Sequence, residues 1–399
     1  MSARPPVTDW FRDFDHQSPQ WIEDPFPIWD EIRRNCPIAH TGRYHGVYLP
    51  TRYQDVRDVA YDPARFSSRR VVVREEYPVS APSPPITSDP PDHRPARMVL
   101  LPAFTPKAID RLEDRTRALC DELIDAILGK RAAGGAVDGA VDYAQHIPVR
   151  IIAHMLGLPD RAGDLFREWI HLVLVAGIDD PKALVRGVVE MNAYFGDLIA
   201  ERRAKPGDDL VTYLIGAEFE GHRFDDEHVL GTLRLLLIAG IDTTWSALGA
   251  SLWHLATHAQ DRRRLVAEPG LIPTAVEEFL RAYAPVTMAR AVVEDTELNG
   301  CPMKAGESIL LSFPAANRDP EVFPDADKVI IDRKENRHAA FGLGIHRCIG
   351  SNLARMEMTV AIQRWLARIP EFELDASRPT TWSAGTVRGP RLLPLAIPA

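Results

Sequence analysis

The sequence predicts a mainly α protein with a small β-rich region, and three observations carry that prediction. Apolar residues recur at helical spacing in residues 108–127, 148–155, 161–175, 182–203, 225–258 and 273–283. Short runs of β character at 46–49, 291–293, 308–311 and 393–397 lie near the start and in the last third, set off by turn pairs such as Asn299-Gly300. No segment repeats at a fixed period and no linker divides the chain. Residues 1–399 are therefore expected to form one domain, with about 1–20 as an N-terminal extension.

Taken in order, residues 1–15 place Arg and Asp around Trp10 and Phe11 and contain no apolar run of the signal type, so export is not expected. Pro78, Pro82, Pro84, Pro85, Pro90 and Pro91 fix φ and remove donors, which makes 77–91 an extended, shaped loop. The Gly/Ala-rich stretch 132–140 reads as a loop between helices. The longest helical pattern is 225–258. Its most apolar part, 235–241, and the stretch 172–178 are far shorter than the ~20 residues that cross a bilayer, so no membrane anchor is expected.

Composition excludes several classes. An apolar fraction of 45% and a charged fraction of 26% are those of an ordinary globular chain with a sizeable core. Lys+Arg 47 against Asp+Glu 56 leaves a net charge of −9, which disfavours nucleic acid and anionic membrane surfaces. Cys36, Cys120, Cys301 and Cys348 are scattered, without a CxxC pair, so neither a disulfide framework nor a structural zinc is indicated and a reducing, cytoplasmic setting fits.

One cysteine stands apart. Cys348 lies in Phe341-Gly342-Leu343-Gly344-Ile345-His346-Arg347-Cys348-Ile349-Gly350, just before a helical pattern over 351–367. Glycines allow tight turns and close approach of a flat group, and a helix start offers N–H donors and a positive dipole end to a thiolate. The plainer alternative is a packing thiol in a turn. This decapeptide resembles the haem-binding signature of the cytochrome P450 family, the haem-thiolate monooxygenases, at each defining position.

The resemblance spans nearly the whole chain, from Asp24-Pro25 to Leu393-Pro394-Leu395, and implies the single-domain cytochrome P450 fold, with haem b between the central helix and the helix after the cysteine loop. Cys348 is then the axial thiolate, which pushes electron density onto iron and favours O–O cleavage. Phe341 packs near the sulfur and Gly350 follows it. His346, His93, Arg97 and Arg290 match positions that meet the haem carboxylates, which need buried cationic partners. Glu278 and Arg281, three apart on a helix, match the family's buried structural pair. In Ala239-Gly240-Ile241-Asp242-Thr243-Thr244, Thr243 matches the alcohol beside bound oxygen and Asp242 the acid that relays protons from solvent. Gly240, which costs about 1 kcal/mol in a helix, marks room for a ligand or a widened turn. The alternative for this pair is a threonine bonded back one turn and a surface acid.

By the same resemblance Leu235, Ile238, Ala239 and Thr243 line the substrate pocket, with Val286, Thr287 and Met288 on one wall and Thr386 and Val387 on another. Such walls suit a small lipophilic or aromatic molecule, hydroxylated or oxidatively dealkylated with O2. Coupling or desaturation without oxygen insertion is the alternative chemistry, and a haem sensor without turnover a third reading. Loop 77–91 and residues 166–186 form the variable roof. Arg69, Arg70 and Arg74 precede that loop; they suit a carboxylate, but solvated surface positions are the expectation. The haem domain consumes the chain, so electrons come from a separate ferredoxin or flavodoxin with its NAD(P)H-dependent reductase, docking near Arg94, Arg347 and Arg355 on a monomer.

Overall fold

The computed structural model describes residues 5–36, 38–79, 81–383 and 385–398. The helical framework comprises α1 (Phe26–Asn35), α2 (Tyr53–Ala60), α3 (His93–Leu100), α4 (Glu113–Ala132), α5 (His146–Met155), α6 (Ala162–Leu174), α7 (Pro181–Ala204), α8 (Asp226–Thr257), α9 (Ile272–Ala282) and α10 (Ser351–Arg368). Periodicity located α5 to α9 to within two residues at each end. It fails at 108–127, where a short helix, Pro106–Asp110, precedes α4. The Leu112 N–H turns back to the Ile109 carbonyl at 2.8 Å, which ends the first helix before the second begins.

The Gly/Ala stretch is also more ordered than a loop. Strand Val137–Asp138 pairs with Pro394–Ala396, and the Asp138 carboxylate accepts from Leu393 N at 3.0 Å. That partner is 255 residues away, so local composition held no trace of it. Among its described residues, loop 77–91 contains neither helix nor strand, as its prolines require; Ser80 lies outside the described residues. Arg234 of α8 fastens it by donating to Pro82 O and Ser83 Oγ.

The main sheet has the order β1 (Ile38–Thr41), β2 (Val47–Pro50), β5 (Ser308–Ser312), β4 (Thr287–Val292), β3 (Phe66–Ser67), antiparallel except where β5 meets β2. Its register sets Met288 opposite Leu311 and Arg290 opposite Ile309. Near the C-terminus β6 (Thr381–Trp382) pairs with β7 (Pro390–Leu392).

The expected N-terminal extension is a packed part of the molecule from about residue 10. Phe14 is fully buried, Asp15 and His16 are buried, and Trp10 and Phe11 pack on the cluster of Trp21, Trp29 and Leu49. Aromatic residues in a short charged segment gain by burial whatever their place in the chain.

α8 is the core element, with Leu233, Leu237, Ile241, Leu248 and Leu252 without exposed surface. Contrary to the reading of short apolar runs, α8 is long and apolar enough to cross a membrane by length and composition, but 67% of that window is buried against the rest of the fold. Small and alcohol residues between its leucines had hidden the length of the apolar span.

Candidate functional site

The cysteine loop is closed by its own backbone: Cys348 N–H donates to Phe341 O at 2.7 Å. Gly342 and Gly344 take φ values of +70° and +69°, and a Cβ on Gly344 would lie 2.1 Å from Ala60 O of α2, so this turn admits only glycine there. Gly350 stands at the N-cap of α10, 3.9 Å from the Cys348 sulfur at its Cβ position. Cys348 keeps exposed surface. Its thiol is nonetheless pushed up by burial, a push opposed by a hydrogen bond from Gly350 N–H and by the charges of Arg97, Arg347 and Arg355. A side chain that is crowded by protein and still accessible lines an enclosed space. Desolvation outweighs the helix start at this sulfur, and a bound cation would favour its thiolate.

Around this loop four basic groups converge. His93 is buried beside His346, with ring centroids 4.4 Å apart. Burial first, then Arg290, His93 and Arg97, pull His346 down to about 3. Burial also lowers Arg290 to about 10, and burial followed by the Arg97 charge lowers His93. Arg97 donates to Arg347 O at 2.7 Å and Arg290 to its neighbour's carbonyl, Ala289 O, at 2.7 Å. His346 Nε2 meets Ser68 Oγ at 2.8 Å, a partner the sequence did not suggest, while His93 Nε2 is buried with no partner among the described residues. The neighbouring acid, Asp89, is occupied by Ser67 Oγ and Ser68 N. Two guanidiniums brought beside two desolvated imidazoles, with Asp89 engaged by Ser67 and Ser68, are costly unless an anion joins them. A flat cofactor with two carboxylates at its edge and a metal for the sulfur fits this donor set, and haem is such a group.

α8 supplies a second face. Although it runs through the core, Leu235, Ile238, Ala239, Gly240 and Thr243 retain accessible surface while Leu236, Leu237, Ile241 and Asp242 do not. Positions i, i+3, i+4 and i+8 form one stripe, the mark of a helix facing an internal space. A Cβ on Gly240 would lie 2.9 Å from Ile152 Cδ1, the end of a flexible side chain on α5. The two other segments expected to be walls touch each other. Thr287 N–H donates to Thr386 O at 2.9 Å and Val286 bridges Val387; Val286, Thr287, Met288 and Thr386 are half-buried and Val387 is buried.

The acid and alcohol are arranged differently from a solvent relay. Asp242 is 1% exposed and clamped by Arg391 of β7, whose Nη2 donates to Oδ2 at 2.9 Å. Nη1 lies 2.7 Å from Oδ1 but at an angle that leaves Oδ1 without a hydrogen bond. Arg391 also reaches Ser246 Oγ at 3.3 Å and covers the Trp245 ring. Thr243 Oγ donates to Ala239 O at 2.8 Å, the bond back along the helix, and keeps its lone pairs for an incoming donor. Arg391 was missed because it is 149 residues from Asp242 and the sequence carries no signal linking them.

Glu278 and Arg281 are apart from this space, both fully buried. Arg281 grips both carboxylate oxygens at 2.8 Å and reaches the carbonyls of Asn317, Ala326 and Lys328, while Arg333 and Ile330 N add donors to Glu278. The expected basic patch is largely neutralised: Arg94 pairs with Glu220 at 2.8 Å and Arg355 with Glu277 at 2.6 and 2.9 Å, which leaves Arg347 exposed. Of the three arginines before the loop, Arg69 is exposed as expected. Arg70 is also exposed, over the Tyr77 ring, but Arg74 is buried, against expectation, because the end of α6 closes over it.

Comparison with known proteins places these features in a family. Residues 182–381 match the family model described as Cytochrome P450. The mycinamicin IV hydroxylase/epoxidase of Micromonospora griseorubida is 35% identical over 378 residues, 92% of this chain and 94% of that one. The vitamin D(3) 25-hydroxylase of Pseudonocardia autotrophica is 35% identical over 88% of each chain. Among solved structures, the cytochrome P450 of the Bacillus subtilis 168 bacillaene polyketide synthase superposes with a TM-score of 0.88 at 30% identity, covering 97% of this chain and 100% of that one.

Proposed function

The chain belongs to the cytochrome P450 family and is an oxidoreductase of the monooxygenase type that uses haem, and from that premise we propose that it hydroxylates, or oxidatively dealkylates, a small lipophilic or aromatic molecule, with Cys348 as the iron ligand. The observation that carries the proposal is the convergence of His93, Arg97, Arg290 and His346, without a free carboxylate, around a loop whose cysteine faces an enclosed space. Haem b, held through sulfur, supplies reductive activation of O2 and insertion of one oxygen atom.

The protein's own part divides among its walls. Arg97, Arg290 and His93 bind the two carboxylates of the cofactor; the two guanidiniums make charge-assisted bonds, poorly screened at the buried Arg290. Phe341 is fixed by Arg355, whose guanidinium lies 4.4 Å from its ring centroid. The α8 stripe and residues 286–288 bind the substrate by burying its apolar surface and excluding water. Thr243 Oγ accepts and donates protons at the oxygen side, and Asp242 Oδ1, without a hydrogen bond of its own, is the atom that exchanges a proton with it or with an intervening water. Arg391 keeps that carboxylate aimed.

Electrons arrive, in this reading, from a small acidic ferredoxin or flavodoxin with its own reductase. Arg347, the exposed arginine of the cysteine loop, is the cation that such a partner meets. The test is the spectrum of the dithionite-reduced carbon monoxide complex of haem-loaded protein. The strongly red-shifted Soret band of a thiolate ligand is expected, and its loss in Cys348→His with haem retained; a band of the imidazole type in the wild type would overturn the assignment.

A further inference from the structure

The three arginines ahead of the proline-rich loop have different fates. Arg69 is 85% exposed on its side chain and lies 3.8 Å from Asp89. Arg70 donates to Gly306 O. Arg74 is 9% exposed, and among the described residues no carboxylate lies within ion-pair reach of it. Its Nη2 donates to Val173 O at 3.0 Å, in the last turn of α6, and its Nη1 to Gly177 O at 3.4 Å, in the short turn Ala176–Ile178 that follows. Burial pulls its guanidinium down from the usual arginine range.

The position of Arg74 is as informative as its burial. Three residues earlier, Val71 O accepts from Ala289 N at 2.9 Å, so this segment runs along β4 beside Thr287 and Met288. Gly177, which Arg74 bonds, precedes Ile178, and Ile178 Cδ1 is 3.0 Å from the Cβ position of Gly385, next to Thr386. Arg74 therefore stands where three walls of the substrate space meet: the β4 wall, the 385–387 turn and the roof. A contrast comes from Arg234, the buried arginine of α8, whose Nε and both Nη atoms find Ser83, Asn192 and Pro82; it is fully used as a clasp.

We propose that Arg74 is the recognition site for a carboxylate on the substrate, so that the molecule oxidised is an amphipathic carboxylic acid with its apolar body along the α8 stripe. The proposal rests on the monooxygenase reading for the identity of the pocket and narrows its substrate class. The carbonyls of Val173 and Gly177 compensate the guanidinium only as dipoles at a helix end. A carboxylate replaces them with a charge-assisted, bidentate contact, the same logic by which Arg97 and Arg290 await the cofactor's acids. The remaining walls, Leu235, Ile238, Ala239, Val286 and Met288, offer no charge to the rest of the ligand.

The test uses haem-loaded, full-length protein and two matched pairs, dodecanoate with dodecanamide and 4-phenylbutyrate with 4-phenylbutyramide. Affinity is read twice, by the Soret shift on displacement of the iron-bound water and by equilibrium dialysis. At least one acid is expected to bind about ten- to a hundredfold more tightly than its amide. Arg74→Gln removes that preference without weakening the amide, and Arg74→Lys keeps part of it. Equal affinity of acid and amide in the wild type, no binding of either acid, or parallel loss of acid and amide in Arg74→Gln overturns the proposal and leaves Arg74 a roof clasp. The carbon monoxide spectrum separates the two readings: an intact thiolate band with no acid preference refutes this inference alone.

Discussion

Replacing Arg391 with Met isolates the contact that the sequence did not foresee. Asp242 is 1% exposed, and Arg391 is its cation and its hydrogen-bond donor. Methionine fills much of the same volume over the Trp245 ring but leaves a carboxylate buried beside nothing that compensates it. Removing one member of a buried pair costs about 3–5 kcal/mol, most of it the desolvation of the survivor. Removing both, in Asp242→Asn with Arg391→Met, spares that penalty. The double variant is thus expected to recover about 1–3 kcal/mol relative to the sum of the singles. Urea unfolding of all four proteins at equal haem loading, followed by far-ultraviolet circular dichroism and by the Soret band, measures the coupling. A coupling below about 0.5 kcal/mol would show that the pair is a crystal-like proximity without energetic weight and would refute the reasoning.

Two further outcomes follow from the same geometry. Thr243→Ala removes an alcohol that bonds Ala239 O and faces the enclosed space, so haem content and substrate affinity are retained while reducing equivalents are diverted to peroxide; equal product per NAD(P)H in variant and wild type would sink the proton role. Glu357 of α10 is buried with neither carboxylate oxygen partnered among the described residues, and burial raises it to about 8. The folded state keeps this proton where the unfolded chain, at about 4.5, has lost it, so its contribution is fully present below the unfolded value and is lost as pH rises towards 8. Stability should fall by up to about 1.4 kcal/mol per pH unit across that window. Glu357→Gln flattens this slope. A difference between the two proteins that does not change from pH 5 to pH 8 contradicts the assignment.

Legibility in the sequence followed the range of the interaction. Helices α5 to α9 were readable because each presents its apolar stripe within a few turns of chain, and the cysteine loop because its turns demand glycine at Gly342 and Gly344 within ten residues. The break at Leu112 was not readable: a three-residue turn competes with helix by a fraction of a kcal/mol per residue, and propensity does not resolve that. Nor was the approach of Ile152, on another helix, to Gly240.

The sequence by itself singled out the residues proposed to carry the chemistry: a lone cysteine among glycines, four basic positions, and an acid-alcohol pair on the longest helix. Only the tertiary structure decided their electrostatic state, because charge and solvation depend on what lies within a few ångströms from any part of the chain. It buried Asp242 against Arg391 where a solvent relay was expected, and neutralised Arg94 and Arg355 on acids of other elements. It also enclosed Arg74 without an acid while leaving Arg69 in solvent, though the two stand five positions apart on the same segment.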